Sequence, residues 1–264
     1  MKSLIKILLL SRPVKKLSGK GETITILGNG PSLKNDFHKI KGKVMAVNMF
    51  ATSEVFTQIR PRYYTIVDIA FFARDPMDYI KVHAENIIQA FERVTWRMTL
   101  FLPFEAKGSV LATRLSHLVE VVYFNKTSVT GRFFYSLRLG MPPPQNVLIA
   151  CLMLSIWMGF KKVYILGADH DWHRHIALNA GRVVLLDSHF YESAKVRIWY
   201  NPITGVELKL HELFFSFAKT FKSYHMIQRF AKSKGVKIIN LTEHSYIDAF
   251  VRTNNKEKSQ WIQQ

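Results

Sequence analysis

Short runs of consecutive β-branched and apolar residues recur along the chain, separated by longer stretches in which apolar residues return every three or four positions. The short runs lie at residues 23–27, 44–47, 63–67, 98–102, 119–124, 163–166 and 236–240, bounded by Gly, Asn, Asp or Pro, and each predicts a strand. Several show no polar alternation, the pattern of strands buried on both faces in a parallel sheet covered by helices. The clearest helix is predicted over 210–234, where Leu210, Leu213, Phe214, Phe217, Phe221, Tyr224 and Ile227 share one face and Lys219, Lys222, Arg229 and Lys232 another. Its aromatic stripe reads as core. A second helix, over 145–158, stops at Gly159, a residue suited to a left-handed helix end, and feeds the strand at 163–166. The expected fold is α/β: one Rossmann-like domain over 21–252, with a mostly parallel sheet flanked by helices.

Two stretches resist the pattern. Residues 126–144 hold Gly131, Gly140 and three consecutive prolines, and residues 170–201 are rich in His, Asp, Arg and aromatic side chains. Long irregular segments in a compact domain are usually functional or disordered, and the second is too aromatic for a linker, so a lid over a site is expected at about 170–201. Residues 253–264 read as a polar tail.

Composition changes this picture in two ways. Lys and Arg total 37 against 19 Asp and Glu, a formal charge of +18, which favours anionic partners. The cations are scattered rather than interleaved with aromatics on one sheet surface, so nucleic acid is not expected. Residues 1–20 are the exception: Lys2, Lys6, Arg12, Lys15, Lys16 and Lys20 accompany an apolar run at 4–10 with no acid. This segment reads either as an interfacial helix on an anionic membrane or as a helix docked on the domain. The run is well short of the ~20 residues that span a bilayer and no small-residue cleavage site follows, which points to a protein at the inner face of the cytoplasmic membrane or free in the cytoplasm. Cys151 is the only cysteine, so there is neither an intrachain disulfide nor a multi-thiolate zinc site, which suits a reducing compartment.

The strongest chemical signal is Gly28-Asn29-Gly30-Pro31-Ser32, directly after the first strand. Ligands of open parallel sheets bind outside the carboxyl ends of strands. Here two glycines would let the main chain approach a ligand, Asn29 offers an amide, and Pro31-Ser32 can open a short helix facing a phosphate; a plain tight turn is the alternative. Leu33 stands where a third glycine would complete the dinucleotide fingerprint, so this is not that motif. Asn48 ends the second strand. Asp68 follows the third and would bind a ribose hydroxyl or a metal, or cap a helix. Asn146 precedes the helix at 145–158, and Gly167-Ala168-Asp169 follows the strand after it. In His170-Asp171-Trp172-His173-Arg174-His175 the spacing argues against structural zinc and for surface or phosphate-contacting side chains.

These residues carry a resemblance. Gly28–Ser32 with Leu33, Asn48, and the unit running from the 146–158 helix through Gly159-Phe160-Lys161-Lys162-Val163-Tyr164-Ile165-Leu166 to Gly167-Ala168-Asp169 resemble, in order, the bacterial sialyltransferases of the Campylobacter type (glycosyltransferase family 42). They also resemble the archaeal 6-hydroxymethylpterin pyrophosphokinase-like proteins (DUF115), to which the acid at Asp68 is closer. Asp187-Ser188-His189-Phe190-Tyr191 resembles the sialyltransferase lid. The resemblance implies a bacterial glycosyltransferase whose nucleotide-activated, CMP-linked or similar donor is held by Gly28–Ser32, Asn48, Asp68, Asn146, Gly167, Ala168 and Asp169. His189 would be the lid base, and Tyr191, Arg197 and Tyr200 would assist the departing phosphate. The acceptor would be a glycan or lipid-linked precursor of a surface polysaccharide, with no cofactor required. Two alternatives stand beside it: a diphosphokinase acting on a hydroxyl-bearing small molecule through Mg²⁺ held by Asp68 and Asp169, and a non-catalytic nucleotide- or glycan-binding protein.

Overall fold

The computed structural model describes residues 14, 19, 21–72, 78–189, 192–200 and 206–252, without the side chains of 78–80, 186–189, 192–195 and 197. Seven apolar runs form the strands β1 (Thr23–Leu27), β2 (Lys43–Val47), β3 (Tyr63–Thr65), β4 (Met98–Pro103), β5 (Val119–Phe124), β6 (Lys162–Leu166) and, later in the chain, β10 (Lys237–Asn240). With the two-residue edge strand β11 (Val251–Arg252) they make one sheet in the order β11-β10-β6-β1-β2-β3-β4-β5. Every pairing in it is parallel, the arrangement expected of strands with little polar alternation. The chain lays down β1 to β5 outward in one direction, then returns to place β6 on the other side of β1. That reversal opens a crevice above the carboxyl ends of β1 and β6.

Three long helices cover the sheet. α1 (Asp78–Glu92) packs Ile87, Ile88 and Phe91 with Phe56 and Tyr64 on one face. On the other, α2 (Val147–Met158) has no polar face, and eleven of its residues are buried between the sheet and α3 (Leu210–Ser233). A helix apolar all round has to lie inside a core. Asn146 caps α2 by accepting from the Leu148 amide, and Gly159 ends it at φ 90°. Burial pushes the Cys151 thiol in this helix up to about 12, so it is an inert core residue. The stripe on α3 is core from Leu213 and Phe217 through Tyr224 and Ile227, whereas Leu210 and Phe214 at its first turns are exposed.

The expected irregular lid is instead a second, antiparallel sheet of β7 (Ile176–Asn179), β8 (Arg182–His189) and β9 (Glu192–Arg197). Its first hairpin turns at Ala180 and Gly181, with φ of 48° and 73°. Two positive φ values are the mirror-image turn that matches strand twist and normally selects Asn-Gly. Alanine in that conformation costs about 1–2 kcal/mol. Ala180→Gly is therefore expected to stabilise the protein by about 1 kcal/mol, read as a rise of roughly 2–4 °C in thermal unfolding; a fall would exclude a strained turn. Of the first twenty residues only two are described. Val14 is buried in the cluster around α2 and α3, and the Gly19 amide donates to the Met158 carbonyl (2.8 Å). The expected membrane helix and the 253–264 tail otherwise lie outside the described residues, and among those described no helix is long and apolar enough to cross a membrane.

Candidate functional site

A cavity of about 130 Å³ sits at the crevice between β1 and β6. Its lining joins Gly28, Asn29, Gly30 and Pro31 after β1, Asn48 after β2, Asn146 with the first turn of α2, and Gly167 and Asp169 after β6. His170, Asp171, Trp172 and His175 complete it. Eight of the residues singled out by sequence thus share one wall.

The two glycines are needed for a reason other than ligand approach. A Cβ on Gly28 would collide with the Gly167 carbonyl, and one on Gly30 with the Asp169 carboxylate and the Gly167 carbonyl. The amides of Gly28 and Gly30 donate to the carbonyls of Leu166 (2.8 Å) and Gly167 (2.9 Å). These amides are therefore used in docking one turn onto the other and do not face a phosphate. The short helical turn Leu33–Asp36 that follows is likewise occupied at its start, where the Ser32 hydroxyl donates to Asp169 Oδ2 (2.9 Å). A carboxylate sits where an anion was expected. Its two oxygens offer about four acceptor positions, so acceptor capacity remains for the cleft.

Asn29 and Asn48 present the opposite case. Asn29 donates from Nδ2 to the Val47 carbonyl (3.2 Å), yet among the described residues neither its buried Oδ1 nor that of Asn48 has a hydrogen-bond partner. Unpaired buried acceptors are costly, so these two take a donor from water or from a ligand in the cleft. The chain holds Asn48 there under strain, at φ 48°, and Tyr64 fixes the turn by donating its hydroxyl to the Asn48 carbonyl (2.6 Å) and accepting from the Ala51 amide (2.6 Å). His170, at φ 56°, and Gly167, at φ 64°, are the other left-handed residues in the wall. Clustered backbone outliers of this kind are a signature of functional sites.

The far wall is a short helical turn, Trp172–His175, that folds back from the β6 loop. His170 is buried with Nε2 hydrogen-bonded to the Tyr224 hydroxyl (2.7 Å), and burial pushes its pKa down to about 3, so it is a neutral imidazole. Trp172 packs between it (4.2 Å) and Phe217 (5.5 Å). His175 Nε2 lies 2.9 Å from Asp171 Oδ2, an imidazole oriented by a carboxylate at the cavity edge. Sequence reasoning gave the histidines and Arg174 surface or phosphate-contacting roles in a lid over the site; His170 and His175 line the cavity.

Other residues singled out lie elsewhere. Ala168 is buried behind the wall, its amide donating to Thr242 Oγ1 (3.1 Å) and its carbonyl accepting from Ser245 Oγ (2.5 Å), so the loop after β10 positions the β6 turn. Asp68 is exposed, accepts from the Ala70 amide (3.0 Å) and caps the turn Ile69–Phe71, outside the cavity. It does not join Asp169 in a carboxylate pair, and among the described residues no three His, Cys, Asp or Glu converge as metal ligands. Tyr200 is exposed beside the Arg182–Glu207 ion pair rather than at the cavity. His189 is placed by its backbone at the end of β8, opposite Glu192; its side chain, that of Arg197, and Tyr191 lie outside the described residues. Comparison of the chain with protein-family models, with curated proteins and with solved structures finds no match.

Proposed function

We propose that the protein is a glycosyltransferase that takes a nucleotide-activated sugar in the crevice between β1 and β6 and passes the sugar to a hydroxyl of a glycan or lipid-linked glycan. The observation that carries this reading is the pair of unpartnered Asn29 and Asn48 carbonyl oxygens in a cleft at the switch point of a parallel sheet. They suit the amino and hydroxyl donors of a nucleoside, and the remaining acceptor capacity of Asp169 suits a ribose hydroxyl.

The donor's phosphate is best accommodated away from Asp169, toward the N-terminus of α2, where the Val147 amide belongs to a first turn that lacks intrahelical partners and carries the positive end of the helix dipole. A cavity of about 130 Å³ encloses only part of such a donor, since small-molecule sites usually run to ~300–1,000 Å³. The sugar and acceptor would then occupy the open side toward β7–β9. For removal of the acceptor proton, the described residues offer His175 with Asp171 behind it, while the resemblance points to His189 in the same lid. The diphosphokinase alternative has no observation of its own, because Asp68 and Asp169 are not assembled as a metal pair.

The test is a thermal-shift panel of CMP, UDP, GDP and ATP on the wild type and Asn48→Ala. A nucleotide at a hundred times its Kd stabilises by about 2.7 kcal/mol, a rise of roughly 5–10 °C for a chain of this size. One nucleotide is expected to give that rise in the wild type and most of it should vanish in Asn48→Ala. No shift with any of the four, or one that Asn48→Ala leaves intact, overturns the reading.

A further inference from the structure

We propose that the Arg132–Ser136 turn and the C-terminal half of α3 form a docking surface for an anionic lipid bilayer. The inference does not depend on what the cleft binds. The turn lies in the proline-rich return from β5 to α2, against the helices: Trp157 Nε1 donates to the Tyr135 carbonyl (2.8 Å), and the Tyr135 ring packs on Phe230 (5.5 Å). Burying Tyr135 turns its neighbours outward. Phe133 is 68% exposed, Phe134 41% and Leu137 42%. Two aromatic rings in edge contact (5.7 Å) at the tip of one turn form a wedge that water does not stabilise.

Beside the wedge runs a groove of about 520 Å³ whose lining includes Arg132, Arg229 and Lys232, all exposed. The Phe134 ring lies against Gly131 in its rim, so groove and wedge are contiguous. Among the described residues none of the three cations is paired with a carboxylate, and Asp248, an acid on this side of α3, is paired with His225 (3.1 Å) a turn away. The two elements are also free of acids over long stretches: none occurs between Glu120 and Asp169 or between Glu212 and Glu243. A lipid headgroup carrying one phosphate matches the groove, and acyl chains match the rings.

A polyanion such as nucleic acid would use the cations but not the exposed phenylalanines, which is why a bilayer is the occupant.

The experiment is co-sedimentation of the full chain with phosphatidylglycerol vesicles and with phosphatidylcholine vesicles, alongside sedimentation velocity without lipid. Wild type is expected to bind the anionic vesicles and not the zwitterionic ones. At roughly fivefold per cation, Arg132→Gln with Arg229→Gln and Lys232→Gln should weaken partition on the order of 100-fold. Phe133→Ser with Phe134→Ser should weaken it at least tenfold, with an unchanged melting temperature as the check on folding. Binding unchanged in both variants overturns the proposal, as does equal binding to both lipids. A wild-type dimer that Phe133→Ser dissolves would assign the face to a second copy of the chain and overturn it too. Because nucleotide binding is read separately in the thermal-shift panel, failure here leaves the cleft reading standing.

Discussion

Gly28→Ala is expected to destabilise the unliganded protein by on the order of 3–5 kcal/mol, lowering its melting temperature by roughly 10 °C. The added Cβ meets a backbone carbonyl, that of Gly167, and neither partner can move freely. Gly28 directly follows β1 and accepts no displacement without breaking its 2.8 Å bond to Leu166, while Gly167 is held at φ 64° by the turn into Asp169. The comparison that makes the result informative is Gly108→Ala. That glycine also has positive φ, 80°, but nothing lies within 4 Å of its Cβ position, so only the conformational cost of about 1 kcal/mol remains. A glycine retained only to admit a ligand would tolerate alanine in the empty protein and lose binding alone. If Gly28→Ala melts with the wild type and merely fails to bind nucleotide, Gly28 serves the ligand and not the contact between the two turns.

The same pair of turns shows what the sequence made legible. The strands were readable because a parallel sheet covered on both faces demands unbroken apolar runs, and β1 and β5 come out at the residues those runs mark. β7 to β9 were not readable. Their hairpin turns on Ala180-Gly181 rather than on an Asn-Gly pair, and β7 exposes Leu178, so neither turn chemistry nor alternation announced a sheet. β11 has two residues, too few for any periodicity.

For the site, position after a strand was enough to bring Gly28, Asn48 and Asp169 together, because a parallel sheet gathers every such loop at one edge. Position alone could not separate Asp68, also at that edge but turned outward as a cap, from Asp169, turned inward. Nor could it reveal that Gly28 and Gly30 serve a contact with a loop remote in sequence. A lid at 170–201 was legible, but not the four-residue helical turn that folds Trp172 and His175 back into the wall of the cleft, because no local pattern encodes that direction.

Asp169→Asn is expected to make the empty protein more stable and the functional protein worse. Burial pushes the Asp169 carboxyl pKa up, with Ser32 opposing that shift and Asp171 adding to it. The ionised form is thus held at a cost to the fold. The direction of the pH dependence follows. With a folded-state pKa above the ordinary carboxylate value, the folded chain keeps a proton that the unfolded chain has already released. The corresponding stability is complete below the unfolded pKa and is lost as pH rises through the folded one. Urea unfolding of the wild type should show this contribution declining from acid toward neutral pH. In Asp169→Asn the decline should be absent and the neutral-pH midpoint higher, because the amide oxygen still accepts from Ser32 (2.9 Å in the wild type) without carrying charge. The amide, however, loses a charged acceptor facing the cleft. Hydrogen bonds to charged groups contribute about 1.5–3 kcal/mol, so nucleotide affinity should fall roughly 10- to 100-fold. This opposition of stability and binding is what a residue held in place for a ligand produces. A variant less stable than the wild type at neutral pH would make Asp169 a structural anchor for the Ser32 turn, and one that binds nucleotide undiminished would remove it from the site.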